Sequence, residues 1–525
     1  MPSPASPQTS PCSAAHTLWD AAGRFSQSPC VTDLDAPGGP ATLTYADLAG
    51  RVAAVAGGFL GLGARPGDRV ALLLPNGCAY VESFLGAAAA GLVTVPLNVR
   101  LLSRDYQHML DDSGSRILVT AGEFLDRAPE LADRPGLTVI RADRVAGQVS
   151  GLDRLAELAT PIERPAARDP SSPASLMYTS GTTGLPKAVE LSDRSWAAIT
   201  DRAISVLNMG DGEVTLHVAP LTHGAGFLLL PTLMLGGHNL LCRSFDAART
   251  LTIFADQGVT GLFVVPSMIR MLLDARPEGW AAPPALRRLY YAGSPIDAAT
   301  LREATEAFSG RVVQSFAQME SPMFFTVLSE ADHRRAARDR ESSLARSAGQ
   351  VLPGVELRIV DESGRQARPG QAGEILARAP QTMNGYWNRP QATADALAQG
   401  WLHTGDVGYL DDAGYLYIVD RKKDMIVTGG SNVYAREVEE VLLEIPAVKD
   451  AAVIGTPHRI WGEAVTAVLV PAGAERDSQA VLAACRATLA GYRMPKRVEW
   501  VESLPRNAYG KVLKHQLREQ FSADS

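Results

Sequence analysis

Apolar residues along the chain switch between two spacings. Leu48, Val52, Val55 and Phe59 recur three or four positions apart, which predicts a helix over 45–62. Pro66-Gly67-Asp68 reads as a turn, and the apolar run at 69–74 as a short buried strand. The Ala-rich segment 79–92 predicts a second helix, and 93–96 a second strand. This alternation runs from about Ala41 to Val265 and predicts parallel sheets covered by helices. No fixed-period repeat is visible.

The texture changes further along. Strands are expected at 351–360 and 373–378 around the turn Asp361-Glu-Ser-Gly364, and a hairpin at 409–420 that turns on Asp411, Asp412 and Gly414. Beyond Asp420 the pattern is compact α+β: a helix at 435–444, strands at 450–455 and 464–471, and a helix at 478–489. The mixed charges of 330–347 predict a solvated helix or loop without chemistry. The expected fold class is α/β, with a large N-terminal domain of mixed sheets covered by helices and a small α+β C-terminal domain. The expected boundaries are a flexible tail at 1–16, the large domain at 17–419 and the small one at 420–525.

Length and composition narrow the class. A chain of 525 residues exceeds what one hydrophobic core organises, so at least two domains are expected. A formal net charge of -7 argues against nucleic acid as the main partner. The five cysteines, at 12, 30, 78, 242 and 485, form no CxxC pair, and no histidine stands at zinc-like spacing from one. They read as free thiols in a reducing compartment. The N-terminus lacks the basic and apolar regions of a secretory signal. The most apolar stretch, 226–241, is broken by Pro231, Gly236 and Gly237 and is too short to span a bilayer. A cytoplasmic enzyme, monomeric or homodimeric, is the expectation.

The segment Tyr178-Thr-Ser-Gly-Thr-Thr-Gly-Leu-Pro-Lys187 carries the most chemistry. Two glycines and four hydroxyl residues fall between Thr179 and Gly184, after an apolar strand at 174–178. Glycines let backbone N–H groups curl around an anion, hydroxyls add donors, and Lys187 adds charge. The spacing is GxxGxxK, not that of a Walker A loop. Ser192 is placed to cap a following helix.

This loop resembles the signature of the adenylate-forming superfamily, which comprises acyl-CoA synthetases, peptide-synthetase adenylation domains and luciferases. The resemblance extends from about Thr44 to Lys514. It implies that Thr179, Ser180, Gly181, Thr182, Thr183, Gly184 and Lys187 bind ATP phosphates. Pro220-Leu-Thr-His223-Gly-Ala-Gly226 resembles the family segment that borders the acyl pocket. The implied acyl contacts are His223, Gly224, Phe227, Val265, Ala292, Gly293 and Ala317. Tyr290-Tyr-Ala-Gly-Ser-Pro-Ile296 resembles the adenine segment, which assigns Gly293, Ser294 and Pro295 to the nucleotide.

Gln314-Ser-Phe-Ala-Gln-Met-Glu320 is similar to the family's Gln-Gly-Tyr-Gly-x-Thr-Glu and assigns Gln314, Ser315, Phe316, Ala317, Gln318 and Met319 to the nucleotide. Glu320, with Thr179, is implied as the Mg2+ site, since a hard cation prefers oxygen ligands. Met319 stands where the family usually carries Thr. Asp406 in Trp401-Leu-His-Thr-Gly-Asp406 is implied to hold the ribose hydroxyls, and Asp420-Arg421 to form a hinge and a nucleotide contact. Asn432 is implied as a further nucleotide contact. Lys423, Gly429 and Gly430 are implied for coenzyme A. Pro505-Arg-Asn-Ala-Tyr-Gly-Lys511 resembles the motif of the adenylation lysine, so Lys511, His223 and Lys187 are the expected catalytic residues.

The implied reaction joins a carboxylic acid to AMP and then passes the acyl group to coenzyme A. An aromatic or medium-chain acid is expected, because the imidazole of His223 is able to stack on a ring. The alternative is a free-standing adenylation enzyme that loads a carrier-protein thiol. A luciferase-like oxygenase finds no support in the residues. A catalytically dead binding protein has a foothold only in Met319 and Ala188.

Overall fold

A computed structural model describes residues 13–143, 149–179, 185–339, 342–506 and 512–522. The chain forms two compact units. The first takes in the described residues up to Thr179, Pro186–Glu356 and Arg378–Leu402; the second takes in Leu357–Ala377 and the chain from His403 on.

The first unit holds two sheets. In the larger, six strands run parallel in the order Pro29–Asp33, His238–Leu241, Val214–His217, Gly261–Val264, Arg288–Tyr291, Val312–Gln318. Ala41–Thr44 closes one edge antiparallel; at the other end Ser321–Leu328 pairs antiparallel with Val312–Gln318, and Gly349–Val351 antiparallel with Ser321–Leu328. Gly261–Val264 and Arg288–Tyr291 are buried throughout, as strands covered on both faces must be. The second sheet sets Thr138–Arg141, Ile117–Thr120, Arg69–Leu73, Val93–Pro96 and Pro173–Thr179 in parallel. Lys187–Ser192 and Gly385–Tyr386 then run antiparallel.

Helix starts follow side-chain chemistry. Tyr45–Gly61 opens on a reciprocal box: the Thr44 hydroxyl accepts from the Asp47 N–H at 3.1 Å, and the Asp47 carboxylate accepts from the Thr44 N–H at 3.0 Å. Ser192 caps Asp193–Val206 as expected. Two expectations need correction. Helix Ala14–Phe25 begins inside the segment read as a tail, because Ser13 caps it and Ala15 and Leu18 are buried. Helix Glu330–Arg338 is not simply a solvated face: Arg335 points outward, but His333 and Ala336 are buried.

The second unit contains the strands Glu356–Val360, Gly373–Arg378, Trp401–Leu410 and Tyr415–Arg421 in that order. The last two form the expected hairpin. A further sheet pairs Val448–His458 with Gly462–Pro471, longer strands than the apolar runs predict because polar residues flank them. Helices Ala435–Leu443 and Ser478–Thr488 cover one face through Val438, Leu442, Val481 and Cys485. The expected boundary at Asp420 therefore falls on a continuous strand inside this unit. Among the described residues, no helix is long and apolar enough to cross a membrane. Cys30, Cys78, Cys242 and Cys485 are free thiols, and Cys12 lies outside the described residues.

Candidate active site

Open parallel sheets bind ligands at the carboxyl ends of their strands. Strand Val214–His217 leads there into the segment with His223 and Gly224, Gly261–Val264 into Val265, and Arg288–Tyr291 into Ala292, Gly293, Ser294 and Pro295. Register aligns Val264 with Tyr291 and Tyr291 with Gln314. Hence Val265, Ala292 and residues 315–318 share one edge. Gly293 has φ of +92°, and a Cβ there would lie 3.8 Å from Val265 Cγ1. The left-handed backbone explains the glycine.

The last parallel strand turns back on itself. Gln318 pairs with Ser321, so Met319 and Glu320 form the tip of an antiparallel hairpin. Ser315 is buried, and its hydroxyl donates to the Met323 carbonyl at 2.5 Å. Phe316 packs edge-on to Phe325 with ring centroids 5.8 Å apart. Glu320 is fixed at both ends: its carbonyl accepts from the Met383 N–H at 2.8 Å, and its Oε1 accepts from the Tyr386 hydroxyl at 2.7 Å.

The segment read as a phosphate loop connects two antiparallel strands, Pro173–Thr179 and Lys187–Ser192, rather than a strand and a helix. Thr179 faces Lys187 across the last rung, and the Thr179 hydroxyl donates to the Lys187 carbonyl at 3.3 Å. Ser180, Gly181, Thr182, Thr183 and Gly184 lie outside the described residues. Lys187 is exposed, and its ammonium sits 5.2 Å from the centroid of the Tyr386 ring.

His223 is half-buried, with Nδ1 3.0 Å from the Thr222 hydroxyl. Burial lowers its pKa to about 4, and the positive charge of Arg100 adds to the effect. A neutral imidazole is therefore available at pH 7 for hydrogen bonding. A Cβ at Gly224 would come within 2.7 Å of Phe263 Cζ, so the glycine makes room for that ring. Phe227 is buried with its ring 4.9 Å from Trp196.

In the second unit, Asp406 and Arg421 are partners across the hairpin, with Asp406 Oδ1 2.6 Å from Arg421 Nε. Gly429 and Gly430 form the two-residue turn between Ile426–Thr428 and Ser431–Val433. Their φ values of +57° and +78° are those a tight hairpin of this hand requires. Turn geometry alone thus accounts for this glycine pair. The Gly429 N–H donates to the Trp461 carbonyl at 2.9 Å. Asn432 donates to Glu362 at 3.0 Å, and Lys423 is exposed in the short turn Lys422–Asp424. Lys511 lies outside the described residues.

The family model for AMP-binding enzymes matches residues 18–387, and that for the AMP-binding enzyme C-terminal domain matches 437–511. The chain belongs to the AMP-binding enzymes. Within that family it is of the acyl-CoA synthetase type. It is 38% identical over 493 residues to a feruloyl-CoA synthase of an Amycolatopsis species, covering 92% of this chain and 95% of that one. It is 36% identical to the fatty acid–[acyl-carrier-protein] ligase ScoC of Streptomyces coeruleorubidus, covering 92% of each. Among solved structures it is similar to o-succinylbenzoate CoA synthetase from Bacillus subtilis in complex with its acyl-adenylate intermediate. The TM-score is 0.85 at 30% identity, with 96% and 97% of the two chains covered.

The residues present suit the substrates of such an AMP-binding enzyme. Gln314 Oε1 is buried without a hydrogen-bond partner, an acceptor suited to an exocyclic amine on a flat base. Among the described residues, no cluster of three His, Cys, Asp or Glu is able to cage a metal ion. A lone carboxylate such as Glu320 is the donor set Mg2+ uses when phosphates complete its shell. Sequence reasoning missed Tyr386 and Phe263. Tyr386 lies in the uncharged run Asn384-Gly-Tyr-Trp387, far from Glu320 in sequence, and only the pairing of Gly385–Tyr386 with Lys187–Ser192 brings it to the site.

Proposed function

We propose that this enzyme is an ATP-dependent acid–CoA ligase acting on an aromatic or medium-chain carboxylic acid, with Mg2+, in the cytoplasm. The observation that carries the reading is the shared strand edge. There the His223 segment, Val265, Gly293 and residues 314–318 converge beside the Glu320 hairpin tip. In the first half-reaction an oxygen of the acid's carboxylate attacks the α-phosphorus of ATP, and pyrophosphate leaves. A carboxylate is already ionised at pH 7 and needs no base. Neutral His223 hydrogen-bonds and orients it. Lys187 and Lys511 offset charge on the phosphates. Glu320 and Thr179 would hold Mg2+, which would supply further positive charge against those phosphates.

In the second half-reaction the coenzyme A sulfur attacks the acyl carbon. AMP leaves with the bonding electrons, and the thiol proton passes to solvent. Lys423 and the Gly429-Gly430 turn border the thiol's route in this reading. A second reading, transfer to a carrier-protein thiol, is favoured by the similarity to ScoC. Pyrophosphate exchange with a panel of acids, followed by product analysis with coenzyme A alone, tests the proposal. Acid-dependent exchange with thioester on free coenzyme A is expected. Exchange with product only on a carrier protein selects the second reading, and no exchange with any acid rejects both.

A further inference from the structure

We infer that Tyr386 is a positioning residue that orients the Glu320 carboxylate for the metal and holds the Lys187 ammonium apart from it. The inference rests on the reading of Glu320 as the metal carboxylate. Tyr386 lies opposite Val189 in the antiparallel rung between Gly385–Tyr386 and Lys187–Ser192. Lys187 and Val189 are two residues apart and share a face of the strand. Tyr386 is therefore the diagonal neighbour of Lys187, a separation that an aromatic ring and a long side chain bridge. The ring face takes the ammonium at 5.2 Å, while the hydroxyl at its far end donates to Glu320 Oε1 at 2.7 Å. Two opposite charges that both serve the phosphates are thus bound to opposite ends of one rigid side chain.

The arrangement has two consequences. A phenol is uncharged, so its hydrogen bond fixes the carboxylate without neutralising it and leaves Oε2 for a hard cation. The ammonium, resting on the ring, pairs with no carboxylate among the described residues. It stays free for an incoming polyphosphate. The backbone of Tyr386 is itself pinned. Its N–H donates to the Thr393 hydroxyl at 2.9 Å, and the neighbouring Trp387 N–H donates to the Ala188 carbonyl at 2.9 Å.

The test is calorimetric binding of α,β-methylene ATP, which resists pyrophosphate release, to the full-length enzyme with Mg2+ and with chelator. Tyr386→Phe keeps the ring and the backbone bonds and removes only the hydroxyl. It is expected to cut the Mg2+-dependent gain in affinity about tenfold, the usual effect of losing an outer partner of a metal ligand. Metal-free affinity should stay within about twofold, because Lys187 keeps its platform. Tyr386→Leu should lose metal-free affinity as well. A full Mg2+ gain in Tyr386→Phe, or equal loss with and without metal, overturns the inference. Glu320→Gln separates the two ideas. If it abolishes the Mg2+ gain while Tyr386→Phe keeps it, only the role of Tyr386 fails. If Glu320→Gln keeps the gain, the metal assignment fails and the inference with it.

Discussion

Arg421 closes on Asp406 across one rung of the hairpin, Nε to Oδ1 at 2.6 Å. The Asp406 carboxylate is buried, whereas the Arg421 side chain is 38% exposed. The arginine fixes Oδ1 of the carboxylate that, in the proposed function, faces the ribose diol. Arg421→Ala is expected to cost about 1–3 kcal/mol of stability through the lost charge-assisted bond. It should also raise KM for ATP at least tenfold. Combined with Asp406→Asn, the loss should be smaller than the sum of the single losses. Additive losses in urea unfolding would show that the pair is not coupled, and an unchanged KM would remove the nucleotide assignment.

Much of this was legible in the sequence because it depends on local chemistry. Helix Tyr45–Gly61 follows from the spacing of Leu48, Val52, Val55 and Phe59, and the hairpin at Tyr415–Arg421 from Asp411 and Gly414. The order of the motifs was enough to indicate the family that residues 18–387 match. Strand pairing between distant segments was not legible. Tyr386 reaches Glu320 only through a two-residue edge strand, and a pair of uncharged residues gives no spacing signal. His333 was read as part of a solvated run because the charges around it hide one buried face. The Gly429-Gly430 pair was read for chemistry, although a tight hairpin already demands it.

Lys511 and the coenzyme A turn serve different halves of the proposed reaction. Lys511→Ala is expected to abolish acid-dependent pyrophosphate exchange while leaving thioester formation from supplied acyl-AMP largely intact. Equal loss in both assays would reject the assignment of Lys511 to adenylation.

Lys514, three residues on, should behave differently. Its side chain is half-buried, with the ammonium 2.8 Å from Glu439. Burial works against its charge, but Glu439, Asp420 and Asp424 outweigh burial and raise its pKa. Lys514→Met leaves Glu439 and Asp420 without that counter-charge and is expected to destabilise the protein by about 1–3 kcal/mol. Both half-reactions should then fall together with the thermal midpoint, the opposite pattern to Lys511→Ala. A selective loss of one half-reaction at unchanged stability would show that Lys514 acts in the chemistry.

The buried His333 makes stability depend on pH. Its Nδ1 lies 2.8 Å from the Ser329 carbonyl and so carries the proton, while Nε2 accepts from the Tyr291 hydroxyl at 3.2 Å. Burial lowers its pKa to about 4, against the opposing pull of Asp332. Between an unfolded value near 6.5 and about 4 the unfolded chain binds the proton first, so acidification removes stability over that window. Asp193, whose pKa burial raises to about 6 against the pull of Arg168, works in the opposite direction and obscures the trend in the wild type. The difference between wild type and His333→Gln cancels it. That difference should shrink by about 2 kcal/mol between pH 7 and pH 5 in denaturant unfolding. A constant difference would mean that His333 titrates normally.

Gly224 sets the width of the proposed acyl pocket through Phe263. A methyl at Gly224 would fall 2.7 Å from Phe263 Cζ, inside van der Waals contact, so the ring has to move. It has little freedom on its other side, where Tyr290 packs with ring centroids 5.3 Å apart. Gly224→Ala should therefore push the Phe263 edge toward the acid. One added methylene's worth of crowding changes discrimination about tenfold or more. The expected result is at least a tenfold fall in kcat/KM for a bulky aromatic acid relative to a small acid, with KM for ATP unchanged. Gly224→Ala with Phe263→Ala removes the displaced ring and should restore the bulky acid. If the single variant lowers kcat/KM equally for every acid, the residue supports the fold and not the choice of substrate.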